Sequence, residues 1–311
     1  YIIYNEAYKD ELNIKKKEKS KTDLLRFKKG NEHEDNYFKK LKKKFKNTTD
    51  LKKDSKDFKG RFQDTLKAMK DGFEVIRGGV LKSGNWFGET DFLIKIDGKS
   101  KFGNYAYIVH ETKNTNKTKP DHVVQAGVYS SMLEEIQEYK PDVFAIVLKE
   151  FLVDEIKYDS VRNYVNFTKE KYQNFLEKGL DEARPDKCQY CNICDWIDVC
   201  KNIWKEEDNL NQICNIHKSQ VKKLKDEGID TIEKISSKKE NFIVKDLNPD
   251  VFRRLNISAK LKKEAEKTGK PQFKLNEDYL NVKKGFNMLP EPQEGDLFFD
   301  IESVQDHVHT D

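Results

Sequence analysis

Residues 91–129 read DFLIKIDGKSKFGNYAYIVHETKNTNKTKPDHVVQAGVY, and the rest of the chain is organised around this stretch. Two runs of apolar β-formers, Asp91–Ile96 and Tyr105–Lys113, flank a polar break with two glycines. That pattern predicts a β-hairpin. Antiparallel pairing lays the start of the first strand beside the end of the second, so Asp91 and Glu111 meet at one end. Glu111 and Lys113 are two apart, and strand alternation puts both on one face. Two carboxylates and an ammonium at a strand end can hold a divalent cation and position a water, which outlines a hydrolytic site. Taken alone, Asp and Glu-x-Lys also occur on solvated strands. Beyond the hairpin, Pro120 marks a first helical turn, and DHVVQAGVYSSMLEEIQEY has apolar residues at helical spacing. Gln125 and Tyr129, four apart, share one face of that helix.

The elements before and after extend the pattern. DLLRFKKGNEHEDNYFKKLKKKF, from Asp23, is helical, with Leu24, Leu25, Phe27, Tyr37, Phe38, Leu41 and Phe45 as its expected buried stripe. It carries Glu32-His33-Glu34. Arg61–Lys70 reads as a second helix with Thr65 and Met69 inward, and Phe73–Ile76 with Val80–Leu81 as a strand bent at Gly78-Gly79. Trp86 and Gly88 are read as packing and turn residues. Val143–Leu148 forms a buried strand, and VRNYVNFTKEKYQNFLEKGL a long amphipathic helix with Tyr164, Phe167, Tyr172 and Phe175 at helical steps.

The order Asp, Glu-x-Lys, Gln-x-x-x-Tyr resembles the RecB-like branch of the PD-(D/E)XK nucleases. The succession helix, three-strand meander, helix, strand, helix agrees with that fold. The resemblance implies an α/β core, a mixed central sheet flanked by helices. It also implies magnesium or manganese held by Asp91 and Glu111, a water activated with the help of Lys113, and a DNA strand approached by Gln125 and Tyr129. In this family a helix ahead of the hairpin supplies a His to the metal, and His33 falls at the matching place, with Glu34 a weaker candidate.

At 311 residues the chain has room for one sizeable domain and one or two small ones. Charged residues make up 37% and hydrophobic residues 36%, and the net charge is +4. Over residues 1–70, 22 Lys and Arg stand against 12 Asp and Glu, so the front is basic and the remainder mildly acidic. A basic front suits a polyanion, although lysine is abundant throughout. No apolar run approaches the roughly 20 residues of a membrane span, and no signal peptide is visible. The chain is expected to be a piece of a longer, soluble, cytoplasmic protein.

Four of the five cysteines, Cys188, Cys191, Cys194 and Cys200, fall in DKCQYCNICDWIDVC. Thiolates this close call for a soft metal in a reducing compartment. The spacing of Cys191, Cys194 and Cys200 around Trp196 resembles the iron–sulfur staple of the same nucleases, which implies a mainly structural 4Fe-4S cluster. In that family the fourth cysteine lies upstream. This chain has none before Cys188, so Cys188 or a residue ahead of Tyr1 is expected to complete the set. Tetrahedral zinc on the four local cysteines is the alternative. Cys214 is read as a small buried hydrophobe.

Leu210–Ser236 resembles a helix-hairpin-helix module, but Asn215-Ile216-His217 stands where glycines would contact phosphate. Arg253, Arg254 and the lysines to Lys263 lie on a later basic helix. The closing run GDLFFDIES carries Asp300-x-Glu302, which resembles the start of the metal site in DnaQ-type, RNase H-like exonucleases. These residues are expected to be half of a second site, inert alone. The combination resembles RecB-like nucleases that continue into an RNase H-like domain and sometimes a helicase. The expected organisation is a nuclease domain with its Cys motif over 1–205, a helical region over 206–270, and a linker with a first RNase H-like strand over 271–311. The expected function is a metal-dependent deoxyribonuclease acting on single strands or ends in repair, defence or CRISPR-type DNA processing. A non-catalytic DNA-binding scaffold and a zinc-stabilised interaction domain are the alternatives.

Overall fold

A computed structural model describes residues 2–55, 57–179, 183–275, 288–297 and 299; Asp300 and Glu302 lie outside them. The chain divides into two compact units, one of residues 19–179 and one of 1–18 with 180–311.

The first unit is an α/β layer built on a mixed six-stranded sheet in the order β1-β2-β3-β4-β5-β6. The strands are β1 (Thr48–Asp50), β2 (Val75–Ser83), β3 (Trp86–Ser100), β4 (Gly103–Thr112), β5 (Val143–Val147) and β6 (Val153–Lys157). The predicted hairpin is present as β3 and β4, paired antiparallel with Leu93 opposite Val109 and Ile94 opposite Ile108. Alternation along both strands feeds two cores. Leu93, Tyr107 and Val109 join Met69, Met132 and Leu133 on one face, while Phe92, Ile94 and Ile108 meet Tyr37, Phe38 and Leu41 on the other. Because both faces are covered, β5 reads as a continuous apolar run, paired parallel to β4. The parallel edge strand β1 and the antiparallel strand β6 have no signal in the sequence, being three and five residues long.

Four helices flank the sheet in this unit: α2 (Lys21–Lys44), α3 (Phe58–Lys70), α4 (Pro120–Gln137) and α5 (Tyr158–Glu177). α2 starts at a capping box, in which Ser20 Oγ accepts from the Asp23 amide at 3.1 Å and Asp23 accepts from the Ser20 amide at 3.2 Å. Its buried face is Glu34, Tyr37, Phe38 and Leu41. The predicted stripe ran further. Leu24 and Phe27 are 55% and 56% exposed, because no core residue lies against the first two turns. α5 likewise leaves Tyr164 and Phe167 exposed.

Gly78 is a pivot of β2. Its φ of 66° is open to glycine, and an added Cβ would lie 2.7 Å from the backbone of Lys52. Ile76 and Leu81, five apart, consequently reach the same core, whereas an unbroken strand would send them to opposite faces. Gly78→Ala is therefore expected to lower stability by about 1–3 kcal/mol in chemical denaturation.

The second unit contains α1 (Ile2–Tyr8), α6 (Ile197–Glu206), α7 (Lys218–Asp226), α8 (Ile232–Ser236) and α9 (Pro249–Thr268). Leu210, Ile213, Leu224, Ile232, Ile235, Phe252 and Leu255 form its core. Buried Asn256 donates to the carbonyls of Ile235 (2.6 Å) and Lys238 (2.9 Å), tying α9 to the end of α8. At the start of the stretch that resembles a helix-hairpin-helix, Leu210–Gln212 is a single 3-10 turn. The N-terminal residues join the Cys segment: Trp196 Nε1 donates to Glu6 at 3.3 Å and the Lys17 amide to Asp195 O at 2.7 Å. Cys214, read as buried, is exposed. The neighbouring Ile213 and Ile216 fill the core while the chain turns through Asn215 in a left-handed conformation.

Candidate active site

The β3–β4 register pairs Phe92 with His110, so the next positions, Asp91 and Glu111, face each other across the hairpin end. The Asp91 amide donates to Glu111 Oε1 at 3.1 Å. The amide and hydroxyl of Thr112 both donate to Asp91 Oδ2 at 2.7 Å, holding that carboxylate in one orientation. Lys113 Nζ donates to Glu111 Oε2 at 3.2 Å, so strand alternation does bring Glu111 and Lys113 to one face. Glu111 is buried, 1% exposed, while Asp91 and Lys113 are both half-buried. The preceding residue, His110, turns to the opposite face, where its Nδ1 lies 3.0 Å from Tyr37 Oη. Burial, reinforced by Lys44, pushes His110 down to about 4, so it is neutral near pH 7.

Two like charges withdrawn from water raise each other. Burial, then the adjacent Asp91, pushes Glu111 up to about 8 against the pull of Lys113. Burial is also the largest influence on Asp91, which is raised; Lys113 opposes it and Glu34 adds to it. A pair that resists ionisation unless neutralised is suited to a hard cation with oxygen ligands. A magnesium-sized ion needs one or two carboxylates and retains waters for the rest. The pair fits that donor set.

The pH dependence follows from the same shift. A carboxyl with a folded value of about 8 against an ordinary value of 4.5 binds its proton more tightly in the folded state. Its stabilising contribution is complete below 4.5 and lost as pH rises through 8. In EDTA, the melting temperature of the wild type should fall across that interval. The fall should flatten in Glu111→Gln, and added Mg²⁺ should oppose it in the wild type.

α4 closes one side of the cluster. Gln125 Nε2 donates to Tyr129 Oη at 3.2 Å, the pairing their helical spacing implies. Burial, then Glu111, pushes the Tyr129 phenol up to about 12. Gly88 of β3 lies against this ring, and an added Cβ would come within 2.4 Å of Tyr129 Cε1. Gly88 thus has a positioning role beyond the turn expected of it. Further along the same face, Trp86 packs on Tyr172 with centroids 5.4 Å apart. It walls a cleft of about 440 Å³ that Lys169, Glu135 and Asn166 also line.

His33 is placed differently from the metal ligand expected of it. Its Nε2 lies 3.3 Å from Val147 O, and its ring stacks on Phe151. The same carbonyl accepts from the Lys113 amide at 2.8 Å, so His33 sits at the β4–β5 end with its Nε2 against the backbone. Among the described residues, no three His, Cys, Asp or Glu side chains are gathered as a metal-holding group. Glu34 acts on Asp91 electrostatically and is itself held by Arg77 Nε (2.9 Å) and Lys52 Nζ (2.7 Å). Arg77 also reaches Asp35 and, at 3.3 Å, Asp50. The Thr112 and Arg77 contacts escaped the sequence reading. A lone Arg within the apolar run VIRGGVL is the signal that could have flagged Arg77.

The cysteines lie in the other unit. Cys188 and Cys191 Sγ approach to 3.9 Å, and the Trp196 amide donates to Cys194 Sγ at 3.4 Å. Cys200 is buried, and burial followed by Cys194 and Cys191 pushes it up to about 11. The four sulfurs are not drawn round one point.

No protein family matches the chain, and no curated protein is significantly similar to it.

Proposed function

We propose that this chain is a metal-dependent nuclease of the RecB-like PD-(D/E)XK type that hydrolyses phosphodiester bonds in DNA, at ends or on single strands. The observation that carries the reading is the pairing of half-buried Asp91 with buried Glu111, with Lys113 on Glu111. Asp91 and Glu111 would hold magnesium or manganese, which when bound supplies Lewis-acid stabilisation of phosphoryl charge and acidifies a coordinated water. Thr112 fixes the Asp91 carboxylate. Lys113 opposes the upward shift of Glu111 and orients the attacking water, and its positive charge favours the developing phosphorane. Gln125 and Tyr129 position the strand. The Cys motif, with a 4Fe-4S cluster or zinc, serves architecture in the other unit, and a 4Fe-4S cluster would show absorbance near 400 nm.

The engagement of His33 with Val147 favours a second reading, a non-catalytic DNA-binding scaffold lacking a third metal ligand. Digestion of end-labelled single- and double-stranded DNA, linear and circular, in Mn²⁺ or EDTA separates the two. Mn²⁺-dependent loss of linear strands supports the nuclease. Binding without cleavage by folded, metal-loaded protein supports the scaffold.

A further inference from the structure

β3 carries a feature that neither core cluster nor the carboxylate pair uses. Phe87, at the β2–β3 hairpin, is 58% exposed and lies against Phe58, the first residue of α3, which is 41% exposed. Their ring centroids are 4.8 Å apart. Exposed apolar surface rimmed by polar residues is the kind that marks interaction sites. Lysines frame the rings. Lys82 is the cross-strand partner of Phe87, and Lys59 follows Phe58. Both lysines are exposed and, among the described residues, in no ion pair. The frame beneath is fixed, since Arg61 of α3 and Glu89 of β3 form an ion pair at 2.7 Å.

Aromatic faces beside free ammonium groups complement a polymer that alternates planar bases with phosphates. An aliphatic protein surface would leave both lysines without counter-charge. The position also suits a substrate strand: Phe87 is four residues from Asp91, or ~13 Å at strand rise.

We infer that Phe58 and Phe87 form a stacking platform for the bases of a single-stranded nucleic acid, flanking the bond held at Asp91 and Glu111. The path to that bond rests on the nuclease reading, whereas binding is measured apart from it. The test is fluorescence anisotropy of a labelled oligo(dT), and of an abasic oligonucleotide of equal length, with the full chain in EDTA. Phe58→Ala and Phe87→Ala are each expected to weaken oligo(dT) binding by about 5- to 150-fold. The weaker binding of the abasic strand should not change. Phe87→Trp should keep the affinity and show indole quenching on binding. Melting temperatures should be unchanged, because both rings are exposed. Equal oligo(dT) affinity of the wild type and the double alanine variant would overturn the platform. So would an equal loss on the abasic strand, or a dimer in sedimentation that the substitutions dissociate. Alanine-sensitive binding without metal-dependent cleavage would leave the platform standing and count against the nuclease reading.

Discussion

Glu111→Gln and Lys113→Ala are each expected to lower Mn²⁺-dependent cleavage by at least about 10²–10³-fold, the range for removing one preorganised charge-stabilising group. Gln keeps the shape of Glu111 and its contact with the Asp91 amide but removes the charge that would hold a cation. Lys113→Ala leaves Glu111 buried beside Asp91 with no ammonium against it. The two variants should part in their metal response. Higher Mn²⁺ should partly rescue Lys113→Ala, since the cation then supplies positive charge to Glu111. It should not rescue Glu111→Gln, which lacks a ligand. Single-turnover cleavage across a Mn²⁺ titration reads both effects, and unchanged rates in both variants would remove the assignment.

The second large effect concerns stability. Arg77→Met is expected to destabilise the protein by about 3 kcal/mol in chemical denaturation, near the low end for breaking a buried ion pair. Arg77 and Glu34 are both buried, and the substitution leaves Glu34 buried with Lys52 as its remaining ion-pair partner among the described residues. Asp35 and Asp50 lose a partner too, but as more exposed groups they add little. Adding Glu34→Gln to Arg77→Met should recover part of the loss, because the stranded charge is then gone. A double variant no more stable than the single one would show that Arg77 acts through packing, for instance against the Phe38 ring 5.3 Å away.

Much of the sheet and the centre of the candidate site were legible because they depend on short-range periodicity. Period-two alternation placed Glu111 with Lys113, and the same alternation divides Phe92 and Leu93 between two cores in the structure. Helical spacing paired Gln125 with Tyr129. Antiparallel hairpin geometry brought Asp91 to Glu111. Each follows from backbone dihedrals within about 20 residues, which the chain's own pattern specifies.

What the sequence could not settle depends on which surfaces meet. Leu24 and Phe27 continue the stripe of α2, yet stay exposed because the cores of the sheet do not reach them, and Cys214 is exposed because its neighbours fill the core first. His33 meets Val147 rather than a carboxylate, 114 positions along the chain, and Glu34 meets Arg77 across 43. Phe58 meets Phe87, 29 positions on, where α3 is tied to β3 by the Arg61–Glu89 ion pair. By itself the sequence determined the hairpin, the helix after it and the residues that could form a site. Only the tertiary structure decided which charges are buried together and which aromatic rings face water, because burial and ion pairing are set by contacts distant in sequence, where no local period carries a signal.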